Sequence, residues 1–112
     1  MRIHLWLLPS SAAALVVLAG MAVRAAVPVS EQRQAELVRL VRQDCGSCHG
    51  MTLKGGLGKA LLPNDLAALD TGTIAQIIED GLPGTPMPPW KGLLTHDETQ
   101  WIAAKLKEGF PP

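Results

Sequence analysis

Cys45-Gly46-Ser47-Cys48-His49 is the stretch on which the reading of this 112-residue chain turns. It holds both cysteines of the sequence, and a histidine follows the second without a gap. Two thiols three residues apart can clamp one edge of a porphyrin by adding across its vinyl groups. The next residue is then held against the porphyrin face, where an imidazole reaches iron. With two cysteines placed at random, this spacing followed by His arises with a probability on the order of one in a thousand or less. Three other uses of paired cysteines fit less well. A thioredoxin-type redox site needs a βαβ setting, and no strand pattern appears. A zinc site wants four ligands, and downstream of the motif only His96 is an obvious candidate. A structural disulfide suits an exported protein but leaves His49 unexplained. The stretch predicts one covalently attached haem, with Cys45 and Cys48 as attachment points and His49 as an iron ligand.

Upstream, Arg2 and His4 precede an apolar run through Ala12-Ala13-Ala14-Leu15-Val16-Val17-Leu18-Ala19 to Val23, and Val23-Arg24-Ala25 offers small side chains to a signal peptidase. That order predicts a signal peptide over residues 1–25 and a single haem domain over residues 26–112. A retained membrane anchor is the rival reading. Pro9, Ser10 and Ser11 interrupt the apolar stretch, and its unbroken part falls short of the roughly 20 residues that cross a bilayer. Of the ten Lys and Arg, Arg2 and Arg24 precede the cut, which leaves eight against ten Asp and Glu. The remaining chain is mildly acidic and carries no electrostatic footprint for nucleic acid. At about 87 residues, with one Phe and no Tyr, it is near the size where an apolar core alone is marginal. A large apolar cofactor at its centre would supply what the composition lacks.

Around the motif the periodicity is helical. Ser30 caps a helix predicted to run to about Asp44, with Leu37, Val38, Leu40 and Val41 on one face and Glu31 near its start. Gly50, Gly55, Gly56, Gly58 and Pro63 predict a loop, in which Leu57, Leu61 and Leu62 need something to cover. A short helix is possible at about Asp65 to Leu69. Thr73 and Gln76 fit a capping box for the next helix, whose stripe is Ile74, Ile77 and Ile78 and whose stop is Gly81. Four prolines between Gly81 and Trp90 exclude helix and central strand. Thr95 and Glu98 open the last helix, with Trp101, Ile102 and Leu106 on one side and Lys105 and Lys107 near its negative end. The fold class is all-α, with three main helices joined by irregular loops.

A second axial ligand has three candidates in residues 26–112: Met51, Met87 and His96. Met51 lies two residues after His49, too close to reach the opposite face. Met87 lies far downstream in the proline-stiffened segment, which can hold a thioether in place. His96 falls in the first turn of a helix, where a solvated histidine is the simpler account. Met87 is the predicted ligand, with a core gap-filler as the plain alternative. His/Met ligation raises the reduction potential and leaves no axial position open for small molecules, which points to electron transfer.

The stretch Leu40-Val41-Arg42-Gln43-Asp44-Cys45-Gly46-Ser47-Cys48-His49-Gly50 followed by Leu53-Lys54-Gly55-Gly56-Leu57-Gly58, together with Gly84-Thr85-Pro86-Met87-Pro88-Pro89-Trp90, resembles the class I c-type cytochromes. More narrowly, it resembles the cytochrome c55X group found with cytochrome cd1 nitrite reductase genes. The similarity extends over nearly all of residues 26–112. It implies a class I cytochrome c fold, three main helices around one covalently bound haem c, with the N- and C-terminal helices crossing. It also implies electron transfer in the periplasm during denitrification or haem d1 maturation. One departure stands out. Related sequences often have Gly-Pro in the loop after the motif, the proline carbonyl accepting the Nδ1 proton of the ligating histidine. Here Lys59 follows Gly58, and because the acceptor is a backbone carbonyl Lys59 can still supply it, without proline's fixed φ.

The expected function is a periplasmic one-electron carrier and not an enzyme. Its expected partners are periplasmic redox proteins, cytochrome cd1 nitrite reductase foremost, or an enzyme completing haem d1. A small peroxidase-like haem enzyme with a labile Met87, and a haem-free thiol–disulfide oxidoreductase, are the alternatives from other classes. Lys54, Lys59 and Lys91 fall in the two loops expected around the haem edge, as a docking patch or as plain solvated lysines. Trp90 is expected to pack against the haem.

Overall fold

The computed structural model describes residues 25–112; the signal-peptide reading concerns a segment that, apart from Ala25, lies outside them. Helix α1 spans Glu31–Leu40, a π-helical turn spans Val41–Cys45, and α2 spans Gly46–His49. These three run on as one rod. The rod therefore ends five residues beyond the predicted stop at Asp44, and the haem motif lies within it. Ser30 caps it as predicted, its Oγ accepting the Arg33 N–H at 3.3 Å. The π turn has a packing reason. A step of four residues overshoots a full turn by about 40° in an α-helix, and a wider π turn holds the next step back. Leu37, Val41 and Cys45 thus stay on one line. Leu37 and Val41 are fully buried, and Cys45 packs against the same core. The Gly46 N–H bonds back to the Val41 carbonyl, five residues earlier, which closes the π turn.

The predicted loop of residues 50–64 runs on to residue 70; its buried anchor is Leu53, and of the three leucines read from the sequence Leu61 packs against the core while Leu57 and Leu62 are exposed. Leu53 is 2 % exposed with φ 60°, whereas Leu57 is 96 % exposed. Burial of the Leu53 side chain offsets the cost of that left-handed backbone. The stretch Asp65 to Leu69 makes successive turns, not a helix. The Lys107 ammonium holds the Leu66 and Leu69 carbonyls, which a continuing helix would use itself.

Helix α3 spans Thr71–Asp80, and its cap is Asp70, not Thr73. Asp70 accepts from the Thr73 N–H at 2.9 Å and the Thr73 hydroxyl at 2.7 Å. Its buried face is Ile74, Ala75 and Ile78, with Ile77 at the margin. Helix α4 spans His96–Glu108 and opens with the predicted capping box between Thr95 and Glu98. It buries Ile102, Ala103 and Leu106 against α3 and α1 in a single core. No strand occurs among the described residues, and none of their helices is long and apolar enough to cross a membrane.

Two arginines tie the first helical rod to α4 and to the segment that follows it. Arg33 Nε donates to Glu98 Oε1 at 2.6 Å. Arg42, in the π turn, donates to the Pro111 carbonyl at 2.5 and 3.0 Å and to the Phe110 carbonyl at 3.1 Å, with its guanidinium 5.7 Å from the Phe110 ring centre.

Candidate haem site

The helical rod decides how the motif is presented. Cys45, Cys48 and His49 stand at i, i+3 and i+4, which places the three side chains on one face. Both thiols are free; Cys48 is exposed, and Cys45 is half-buried against the core. Burial, with the Asp44 charge adding, pushes the Cys45 thiol up to about 11. A protonated, desolvated thiol is apolar in character and suits the wall of an apolar crevice.

The loop after the motif is built around His49. The His49 and Cys48 carbonyls, left without partners by the end of α2, accept the N–H groups of Gly55 and Gly58, each at 2.8 Å. These bonds lay the loop across the imidazole. Gly58 touches the ring so closely that a Cβ would stand 2.9 Å from Nδ1 and 3.0 Å from Cε1. Only glycine fits there without shifting the ring. The Lys59 carbonyl lies 2.6 Å from His49 Nδ1. A carbonyl only accepts, so Nδ1 carries the proton, and in the neutral ring the lone pair is on Nε2. Non-proline Lys59 thus supplies the acceptor that Gly-Pro supplies in the resembling sequences.

Met87 sits in a second loop, residues 81–91, and both its backbone groups are held. Its carbonyl accepts the Leu82 N–H at 3.2 Å, and its N–H donates to Thr85 Oγ1 at 3.3 Å. Gly81, at φ +66°, lets this loop fold tightly: a Cβ there would come within 2.6 Å of the Met87 carbonyl oxygen. Trp90 returns to the last turn of α3 and packs against the core.

The donor set fits a c-type haem on the grounds of these residues. Two free thiols share a helix face with an imidazole whose Nδ1 is turned to a backbone carbonyl, and a glycine clears space on that ring. Zinc finds no comparable set, since no group of three His, Cys, Asp or Glu is gathered for a metal among the described residues. The other ligand candidates are occupied elsewhere or exposed. Met51 is exposed beside Gly46, and the His96 ring, 70 % exposed, is bonded to Glu79 Oε1 at 2.7 Å. Of the three loop lysines, Lys91 pairs with Asp80 at 3.4 Å, while Lys54 and Lys59 are exposed. Nothing local signals the Gly58 contact beyond its place in a glycine-rich loop. The Glu79 contacts had no local signal, because their partners lie 17 and 20 residues away.

Helices without strands among the described residues, and a motif helix with its histidine seated by the following loop, define a class I c-type cytochrome. The family described as cytochrome C oxidase, cbb3-type, subunit III, matches residues 32–104. Cytochrome c55X of Paracoccus denitrificans (strain Pd 1222) is 52 % identical over 92 residues, covering 82 % of this chain and 87 % of that one. The chain belongs to the cytochrome c55X family. Among solved structures, the c-type cytochrome NirC superposes with a TM-score of 0.70 at 48 % identity, covering 71 % of this chain and 94 % of that one. The dihydro-heme d1 dehydrogenase NirN, in complex with DHE, matches with a TM-score of 0.59 at 35 % identity. That match covers 66 % of this chain but 16 % of NirN.

Proposed function

We propose that this c-type cytochrome is a periplasmic one-electron carrier and not an enzyme. It holds a single haem c covalently through Cys45 and Cys48, with His49 and Met87 as axial ligands. When bound, haem supplies a ferric/ferrous couple. The chain's own residues do the rest. The Lys59 carbonyl fixes the His49 tautomer and raises its donor strength, and Gly58 fixes the plane of its ring. Thr85 and Leu82 hold the Met87 backbone, so that little ordering is needed when its thioether binds. A neutral thioether and an imidazole as the two iron ligands would favour the ferrous state and would leave no open position for small molecules. The observation that carries this reading is the contact of His49 Nδ1 with Lys59, which leaves Nε2 free to bind iron.

The acceptor we favour is cytochrome cd1 nitrite reductase, on the strength of the cytochrome c55X kinship. Likeness to part of NirN supports a second reading, in which the carrier takes electrons released by a dehydrogenase that completes haem d1. Mixing the reduced protein with the nitrite reductase, and the oxidised protein with the dehydrogenase and its substrate, in a stopped-flow instrument separates the two, because only the true partner changes the redox state of the cytochrome on a catalytic timescale.

The test of the site is Met87→Ala beside Met51→Ala and His96→Ala, made in a host that matures c-type cytochromes. All three should carry one haem by intact mass, on a chain that begins near Ala26. Only Met87→Ala should lose the ferric sulfur-to-iron band and show a lowered potential. An unchanged spectrum in Met87→Ala, with a shift in one of the others, moves the ligand to that residue. Rapid cyanide binding by the wild type favours the peroxidase-like alternative.

A further inference from the structure

The loop that carries Met87 is closed at both ends on the last turn of α3. The final carbonyls of a helix have no partner within it. Here the Ile77 carbonyl accepts the Gly81 N–H at 2.8 Å, and the Ile78 carbonyl accepts the Trp90 N–H at 3.0 Å. The Glu79 carbonyl receives the N–H groups of Trp90 and Lys91 at 3.1 and 3.2 Å. The returning arm of the loop is therefore laid on carbonyls that the α3 terminus presents. That terminus is held to α4 by the side chain of Glu79. Its Oε1 accepts the hydroxyl of fully buried Thr99 at 2.5 Å and lies 2.7 Å from His96 Nδ1. The Thr99 hydroxyl, with His96 adding to it, keeps the Glu79 carboxyl below its ordinary range against the effect of burial. Glu79 is accordingly an ionised acceptor, and charge-assisted bonds of this kind are the strong ones. The nearby Lys91–Asp80 pair is solvated and holds the loop only weakly.

We propose that Glu79 is a positioning residue for the Met87 loop: its side chain, gripped by Thr99 and His96 of α4, fixes the carbonyls onto which Trp90 and Lys91 close that loop. Helix α4 thereby governs how often the loop opens, although it lies outside the haem motif and the loop itself. The inference rests on Met87 ligation as proposed above.

The experiment uses ferric holoprotein and measures cyanide binding rate, hydrogen exchange at the Trp90 and Lys91 amides, and the thermal midpoint. Wild type should bind cyanide slowly and Met87→Ala rapidly. Glu79→Ala should bind it about ten- to hundredfold faster than wild type, the factor expected from losing a hydrogen bond to a charged group. Its Trp90 and Lys91 amides should exchange faster to match. Glu79→Gln keeps an acceptor oxygen for Thr99 and should recover most of the protection. Asp70→Ala removes the cap at the opposite end of α3, so it should lower the midpoint and leave the cyanide rate near wild type. The proposal is overturned if Glu79→Ala binds cyanide at the wild-type rate while Met87→Ala is fast. It is equally overturned if Asp70→Ala accelerates binding as much as Glu79→Ala. Wild type binding as fast as Met87→Ala removes the ligation reading itself, and this inference with it.

Discussion

The imidazole of His49 is fixed on two sides, by the Gly58 backbone against its ring and the Lys59 carbonyl at Nδ1. These two neighbours respond differently to mutation. Gly58→Ala brings a methyl to 2.9 Å from Nδ1, so the ring must tilt and the bond to Lys59 must lengthen. A less basic imidazole supports ferric iron less, and the potential should rise. Lys59→Ala keeps the carbonyl and should leave potential and spectrum unchanged. Redox titration of both variants checks the pair, and an equal shift in the two would make the Lys59 side chain the active element. The motif cysteines and His49 were legible as residues, because their chemistry demands a fixed local spacing. Lys59 was legible only as a possible acceptor. Gly58 was legible only as loop, because its role depends on a fold-back that local propensity does not encode.

Among the elements, α4 was read almost to the residue, since both halves of its capping box lie within four positions of each other. The Thr95 hydroxyl accepts the Glu98 N–H at 3.2 Å, and Glu98 Oε2 accepts the Thr95 N–H at 2.9 Å. Thr95→Ala should cost about 1 kcal/mol of stability, a fall of about 4–8 °C in Tm for a domain of this size. Thr95→Ser should restore it, as thermal unfolding by circular dichroism would record. The α3 start was misplaced because Thr73, read as the cap, is in fact the donor to Asp70. The stop at Asp44 failed for another reason. Gly46 is a poor helix former, by about 1 kcal/mol relative to Ala. Burial of Leu37, Val41 and Cys45 along one line outweighs that local preference.

At the scale of the whole molecule, the first and last helices share the Arg33–Glu98 pair at the edge of the core. The Arg33 guanidinium, with the Thr95 amide adding, holds the Glu98 carboxyl below its ordinary range against burial. A depressed carboxyl pKa stabilises the fold above the unfolded-state value, and the gain is lost as pH falls through the folded value. Wild type should therefore lose stability more steeply than Glu98→Gln as pH falls through and below the ordinary carboxylate range. At neutral pH, Glu98→Gln should be less stable by about 1–3 kcal/mol, nearer the low end because Arg33 still meets solvent. Denaturant midpoints against pH give both quantities, and parallel pH profiles would remove Glu98 from the acid response. The all-α class and its helix count were legible from periodicity. The pairing of Arg33 with a residue 65 positions away was not, because charge spacing along a sequence carries no record of which helices meet.

Arg42 holds the segment after α4 through the Phe110 and Pro111 carbonyls, groups that every amino acid provides. Only the Phe110 ring, beneath the guanidinium, adds a contact that depends on side-chain identity. The stretch after α4 is therefore legislated by reach, not by spelling. Position 111 has wide freedom to drift in composition, whereas a stop codon at Gly109 would take both carbonyl acceptors away from Arg42, in the turn that sets Cys45 in line with the core.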